Sequence, residues 1–378
     1  MNFEALKSYM DSLDTAVVPG IDLIVYREHS QIFRHFAGYK DRENGVKLSG
    51  NEKYWIFSAT KVFTATAAMQ CVERGVFALD DPVGKYLPPY MLMSVNDHGH
   101  IRSFKQPMTI RQLLTMTAGF NYDLHAPSIE KCKMYSLGKA DTLTMLNALA
   151  EEPLDFFPGT HFQYSLCHDV LAGVIEAATG LTYSKYLKRN IFEPLGIKNT
   201  GFRGENLSEF AVQYVFDGAS GKSVVKPEGN ICEYRLTENY ESGGAGLYST
   251  VNDYILLMDA LSCGGVGASG RRILTEDSIR LMSTPQLSDE IRYNDFKVMN
   301  HFGPSYTYAL GVRVNAGEGS SSPIGEFGWD GAACAYCLSD PVNHLSLYLG
   351  MNVRSFGYGY DVIHHNIKDL TYAGFYDR

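Results

Sequence analysis

The chain has 378 residues, 45% of them apolar, and a formal net charge of −9 from 42 acidic against 33 basic residues. That length buries a substantial core and excludes a small stapled scaffold. No lysine and arginine cluster interleaved with aromatics is available to follow a phosphate backbone, so nucleic acid is not an expected partner. The opening residues, MNFEALKSYMDSLD, lack the basic and apolar segments of a signal peptide, and no run approaches the ~18 continuous apolar residues of a membrane span. A cytoplasmic location without a membrane partner is the expectation. Seven cysteines, an odd number, lie scattered at 71, 132, 167, 232, 263, 334 and 337, which suits reduced thiols better than a disulfide framework.

In chain order, Phe3, Leu6, Met10 and Leu13 recur at helical spacing and predict a first amphipathic helix. After Pro19-Gly20, the β-rich runs 21–26 and 31–36 flank the polar turn Glu28-His29-Ser30 and read as a hairpin. From 58 to 73 a stripe of Val62, Ala65, Met69 and Val72 predicts a buried helix that Gly75 stops. The middle, 80–205, reads as mostly α, most clearly at 143–150 and 170–178. Beyond 240 the strand pattern returns at 308–314, 332–338 and 345–351, followed by a final helix carrying Val362, Ile363, Ile367 and Leu370. The ends are alike and the middle differs. The expectation is an α/β domain built from 1–79 and 206–378, a helical domain inserted at 80–205, and a site between them. Cys334-Ala335-Tyr336-Cys337 falls in an alternating apolar run and reads as buried core thiols, and His98-Gly99-His100 and His364-His365 read as solvated or capping histidines. No metal site is expected.

Ser-x-x-Lys, which carries a nucleophile and a base one helical turn apart, occurs four times: Ser58/Lys61, Ser128/Lys131, Ser136/Lys139 and Ser223/Lys226. Only Ser58 follows an apolar run (Tyr54-Trp55-Ile56-Phe57) and opens a helix of convincing apolar character. Gly138 interrupts the pattern of Ser136, Pro227 follows Lys226, and Ser128 heads a polar stretch.

Further motifs lie in order along nearly the whole chain. They are Leu79-Asp80-Asp81-Pro82-Val83 with Lys85-Tyr86-Leu87, Thr109-Ile110-Arg111-Gln112-Leu113-Leu114 with Thr117-Ala118-Gly119, and Pro158-Gly159-Thr160 before Tyr164-Ser165. Gly243-Gly244-Ala245-Gly246-Leu247 with Ser249-Thr250 and Asp253-Tyr254, then Phe327-Gly328-Trp329-Asp330-Gly331, complete the set. With Ser58-Ala59-Thr60-Lys61, this pattern resembles the class C β-lactamases, the D-Ala-D-Ala peptidases and the related family VIII esterases. The resemblance implies a mainly antiparallel sheet flanked by helices with an inserted helical domain. It also implies Ser58 as nucleophile, Lys61 as its base, Tyr164 as a proton relay, and the Ser58 and Ala332 backbone N–H groups as oxyanion donors. Trp329 is expected to line the acyl pocket, with Asp330 beside it and Gly331 permitting close approach of the backbone.

Two positions depart from the pattern. Trp329-Asp330 stands where the lactamases and peptidases carry a polar or cationic group, and Tyr164-Ser165-Leu166 loses the amide of the usual Tyr-x-Asn, leaving Leu166 at the substrate position. Both resemble the esterase branch, with Phe120, Tyr122 and Trp329 as an apolar wall. The leading expectation is hydrolysis of small or medium carboxylic esters through an acyl-Ser58 intermediate, with a small-molecule ester or amide as the partner and no cofactor. Acyl transfer from the same intermediate, β-lactam or D-Ala-D-Ala hydrolysis, and a silent binding homologue are the alternatives. No Gly-x-Ser-x-Gly elbow supports a Ser-His-Asp triad, and no motif assigns an oligomeric state.

Overall fold

The computed structural model describes residues 1–204 and 206–377; positions 205 and 378, which close the expected insertion and the chain, lie outside the described residues. An eight-stranded antiparallel sheet organises the fold. Its first three strands are β1 (Gly20–Arg27), β2 (Ser30–Asp41) and β3 (Val46–Lys47). The other five come from the far end of the chain: β4 (Tyr306–Tyr308), β5 (Arg313–Asn315), β6 (Phe327–Gly331), β7 (Ala335–Asp340) and β8 (Leu345–Met351). The order is β4-β5-β6-β7-β8-β1-β2-β3, so the two ends of the chain meet where β1 pairs with β8, from Ile21 opposite Met351 to Arg27 opposite Leu345.

Alternation along β7 assigns the helical layers, because successive side chains of a strand point to opposite faces. Tyr336 stacks on His364 and the Asp340 carboxylate accepts from the Tyr372 hydroxyl, both on the final helix α5 (His364–Tyr376). Cys337 and Ser339 point the other way. The Cys337 thiol meets the Tyr254 hydroxyl, and Ser339 Oγ donates to the Met258 carbonyl, both on α4 (Val251–Ser262). The first helix, α1 (Glu4–Asp11), joins α5 on its side of the sheet, where Asn2 N–H donates to the Gly374 carbonyl.

Two more helices matter for the site. Helix α2 (Thr60–Glu73) is buried along every residue from Thr60 to Cys71, and α3 (Cys167–Thr179) packs against it. A helix buried on every side can carry polar side chains only where each finds a partner, as Thr60, Lys61 and Thr64 do here. The segment 83–195 contributes no strand to the main sheet, although it holds a short hairpin, Ser94–Asp97 with His100–Ser103, among its helices. No helix among the described residues is long and apolar enough to cross a membrane.

Several expectations change. The run 308–314 is two strands rather than one, because Gly311 takes φ +83° and turns the chain between β4 and β5. The run 332–338 loses its first three residues to the turn linking β6 and β7, where Cys334 has φ +61°. His364 is not solvated: it is buried, with Nε2 against the Cys334 carbonyl. Ser128 does lie in the first turn of a helix (Pro127–Tyr135), which Pro127 opens from a position where its missing N–H costs nothing. His98 does sit in an exposed turn, between the two strands of the short hairpin.

Arg313 and Glu326 are both fully buried, and Arg313 Nη1 donates to Glu326 Oε1 at 2.6 Å. The Tyr306 hydroxyl donates to the other carboxylate oxygen at 2.8 Å, and the rings of Phe302, Tyr306 and Tyr336 lie within 4.6–5.2 Å of the guanidinium. Removing one charge strands the other in a low dielectric. Glu326→Gln is therefore expected to lower unfolding stability by about 3–5 kcal/mol, read from the midpoint of a urea titration. A variant as stable as the native chain would refute this account of the pair.

Candidate active site

The turn that carries Ser58 is held from two sides. The strand Lys53–Trp55 pairs with Tyr248–Thr250, and Ile56 N–H donates to the Leu247 carbonyl. Phe57 then adopts φ +46°, a conformation that costs a non-glycine residue energy and persists only where surroundings enforce it. A 3₁₀ turn, Phe57–Ala59, leads from there into α2, so Ser58 precedes the α-helix instead of opening it. Gly331 passes the same turn closely: a Cβ there would stand 2.2 Å from the Ile56 carbonyl oxygen. The close approach is therefore between β6 and the serine turn.

Three polar side chains of α2 secure the glycine-rich segment beside it. Thr60 Oγ1 accepts from Leu247 N–H, Thr64 Oγ1 donates to the Gly243 carbonyl, and Lys61 Nζ donates to the Gly244 carbonyl at 2.8 Å. A Cβ on Gly244 would lie 2.3 Å from Asp169 Oδ2, so only glycine lets the segment run between α2 and α3.

Lys61 is 0% exposed. Its Nζ lies 3.4 Å from Ser58 Oγ and 3.2 Å from the Tyr122 hydroxyl, and it faces the Tyr164 ring at 4.4 Å from the centroid. Burial lowers its pKa to about 7, against the opposing pull of the Asp169 and Asp330 carboxylates. The partner set suits the neutral amine: two N–H groups serve Gly244 O and Tyr122 Oη, and the lone pair is left for the Ser58 hydroxyl proton. Among the four Ser-x-x-Lys pairs this is what sets Ser58 apart. Lys131, which follows Ser128 on its own helix, is exposed and paired with Glu151 at 3.0 Å. Ser136 caps a helix end, and Ser223 sits in the strand Lys222–Val225.

Tyr164 and Tyr122 arrive on two adjacent segments, joined where Gln163 N–H donates to the Met116 carbonyl and Leu166 N–H to the Asn121 carbonyl. Tyr164 is hydrogen-bonded to Ser58, accepts from Trp329 Nε1 at 3.2 Å, and stacks on the Trp329 ring with centroids 5.6 Å apart. Burial raises the pKa of both phenols well above the usual value, so they remain protonated near neutral pH. Trp329 in turn meets Tyr308 and Phe302, and Tyr122 meets Tyr234, which packs on Phe57.

The structure thus gathers Ser58, Lys61, Tyr122, Tyr164, Trp329 and Gly331, and brings the charge of Asp330 close enough to act on Lys61. Ala332 lies just beyond β6, packed in a small apolar cluster with Phe57 and Ala333. The remaining expected residues are Phe120 and Leu166. Phe120 packs against Tyr90 and lines a separate cavity of about 140 Å³ with Asn96, Ala126 and Pro127. Leu166 is buried as the N-cap residue of α3.

Other members were not foreseen. His301 Nε2 lies 2.5 Å from Asp330 Oδ2. Although burial disfavours its charge, the Asp330 carboxylate outweighs that cost and raises the His301 pKa above the ordinary imidazole value. Asp169 is buried in α3, where its Oδ1 accepts from Ser242 Oγ at 2.6 Å and the Tyr240 hydroxyl at 2.8 Å. A carboxylate inside the apolar run Cys167-His168-Asp169-Val170-Leu171 was a readable signal. His301 offered none, since its partner is 29 residues away.

A family model described as beta-lactamase matches residues 6–363. Esterase EstB of Burkholderia gladioli is 32% identical over 267 residues, covering 64% of this chain and 65% of its own length. A lovastatin esterase of Penicillium rubens is 29% identical, covering 60% of this chain and 61% of its own. The solved structure of EstCE1, titled a hydrolase with promiscuous acyltransferase activity, superposes with a TM-score of 0.80 at 24% identity, over 98% of this chain and 97% of that one. With the family pattern spanning almost every residue and the fold shared throughout, the chain belongs to the beta-lactamase family.

Proposed function

We propose that the protein is a serine hydrolase acting on small or medium carboxylic esters through an acyl-Ser58 intermediate. The observation that carries this reading is the buried Lys61 amine, with a pKa near 7, 3.4 Å from a serine hydroxyl. That spacing suits a ligand-free site, where such bonds tighten only once substrate is bound. Neutral Lys61 takes the Ser58 proton as Oγ attacks the ester carbonyl carbon. The oxyanion that forms is held by the Ser58 and Ala332 N–H groups. On collapse the C–O bond breaks, and the alcohol leaves with a proton passed from the Lys61 ammonium through Tyr164. Water then adds to the acyl carbon and gives up a proton by the reverse route, and the acid departs as Ser58 regains its hydrogen.

The ester preference rests on the pocket wall and on the relatives. Trp329, Tyr164 and Tyr122 offer apolar faces, and the two acidic side chains near them are already engaged, Asp330 by His301 and Asp169 by Ser242 and Tyr240. A free cation for a substrate carboxylate is lacking among these residues. EstB and the lovastatin esterase carry esterase in their names.

Nitrophenyl esters of graded chain length, compared with a chromogenic cephalosporin and a D-Ala-D-Ala peptide, test the reading. Ser58→Ala should abolish ester turnover, and Lys61→Ala and Tyr164→Phe should each lower kcat by about 10² or more. Full ester activity in Ser58→Ala, or cephalosporin turnover without ester turnover, would overturn it.

The pH profile is a separate test. Lys61 must be neutral to act, so kcat/KM should rise with pH through a midpoint near 7. The Asp169 carboxylate raises the Lys61 pKa, so Asp169→Asn should move this ascending limb to lower pH. A limb that stays in place would remove Asp169 from the account.

A further inference from the structure

We propose that His29, Asp259 and Cys263 form a binding site for a divalent transition-metal ion of the zinc type, with its remaining coordination position open to the adjoining cavity. The site shares no residue with the Ser58 cluster. His29 lies in the turn between β1 and β2, while Asp259 and Cys263 are four residues apart at the end of α4, on one helix face. One ring nitrogen, one carboxylate oxygen and one sulfur lie within 4.8 Å of one another.

The contacts among the three already converge on the carboxylate. His29 Nδ1 is 2.8 Å from Asp259 Oδ2, His29 N–H donates to Oδ1 at 3.1 Å, and Cys263 Sγ lies 3.9 Å from Oδ1. Tetrahedral zinc with bonds of about 2.0–2.3 Å sets its donors roughly 3.3–3.8 Å apart. The required adjustment is at most about 1.5 Å, in a partly exposed turn and a helix end.

Charge is the second argument. The Asp259 side chain is 1% exposed, and among the described residues its ion-pair partner is His29, with no lysine or arginine. Buried carboxylates are ordinarily paired with a cation or bound to a metal. A divalent ion held by the carboxylate, the Cys263 thiolate and neutral imidazole makes a neutral unit. On binding, the thiol proton and any proton on the coordinating imidazole nitrogen pass to solvent. The mixed nitrogen, oxygen and sulfur set favours zinc-type ions over magnesium or calcium, which take oxygen donors.

The site opens on a cavity of about 740 Å³, lined by His29 and Cys263 and also by Glu28, Glu276 and His344. These supply acidic and imidazole groups at the side where a fourth ligand would enter. Arg280, the one lysine or arginine among the described lining residues, pairs with Asp277 at 2.8 Å. A bound ion would clip the β1–β2 turn to the end of α4.

The test uses the full chain dialysed against chelator, then titrated with Zn²⁺ against a chromogenic indicator and separately with Co²⁺. One equivalent of Zn²⁺ should bind, and Co²⁺ should give a thiolate-to-cobalt charge-transfer band. Cys263→Ser should abolish the band, and Cys263→Ser and His29→Gln should each weaken Zn²⁺ binding tenfold or more. Circular dichroism identifies variants that have kept their fold, and Zn²⁺ should raise the Tm of the native chain but not of these variants. Absence of saturable Zn²⁺ binding, absence of the band, or folded variants that bind like the native chain would each overturn the proposal.

Discussion

The withdrawal of Lys61 from water is the constraint on which the rest of the site depends. An ammonium group in that position is expensive, and the protein meets the cost by letting the proton leave near neutral pH. To do so α2 must be buried on all sides, which requires the sheet behind it, α3 beside it and the glycine segment 243–247 threaded between. Thr60, Lys61 and Thr64 use their hydrogen bonds to hold that segment against α2, and the Lys61 bond to the Gly244 carbonyl fixes the position of the amine.

Two carboxylates oppose the depression and bring the value to about 7 instead of lower. Asp169 acts from within α3 and Asp330 from the end of β6. They are themselves restrained, Asp169 by Ser242 and Tyr240 and Asp330 by His301. The balance is thus set by groups on four separate stretches of chain. An amine held near neutrality suits proton transfer in both directions, because neither charge state is strongly preferred.

The aromatic cage has a related logic. Tyr164 and Tyr122 are kept as neutral phenols by burial, which leaves the lysine as the readily titrated group beside Ser58. Trp329 holds the Tyr164 oxygen through its indole N–H and supports the ring by stacking, so this phenol is oriented by a side chain that also presents an apolar face. The β6 strand that carries Trp329 is positioned by the contact of Gly331 with the serine turn.

Local sequence pattern determined a large part of this. Alternation and turn chemistry located the β1–β2 hairpin, and the apolar stretch after Ser58 marked the buried helix, because these features are written in neighbouring residues. Ordered motifs located Ser58, Lys61, Tyr164 and Trp329, all of which the fold brings together. Local pattern failed where a positive φ bent an apolar run, as at Gly311 and Cys334, and where Ser128 headed a helix that its polar sequence concealed. Only the tertiary structure decided that Lys61 is buried while Lys131 is solvated, that Phe120 packs on Tyr90, and that His301 meets Asp330. The same holds for His29 and Asp259, 230 residues apart. Burial and charge pairing arise from contacts between distant segments, and these, unlike periodicity, leave no mark on adjacent residues.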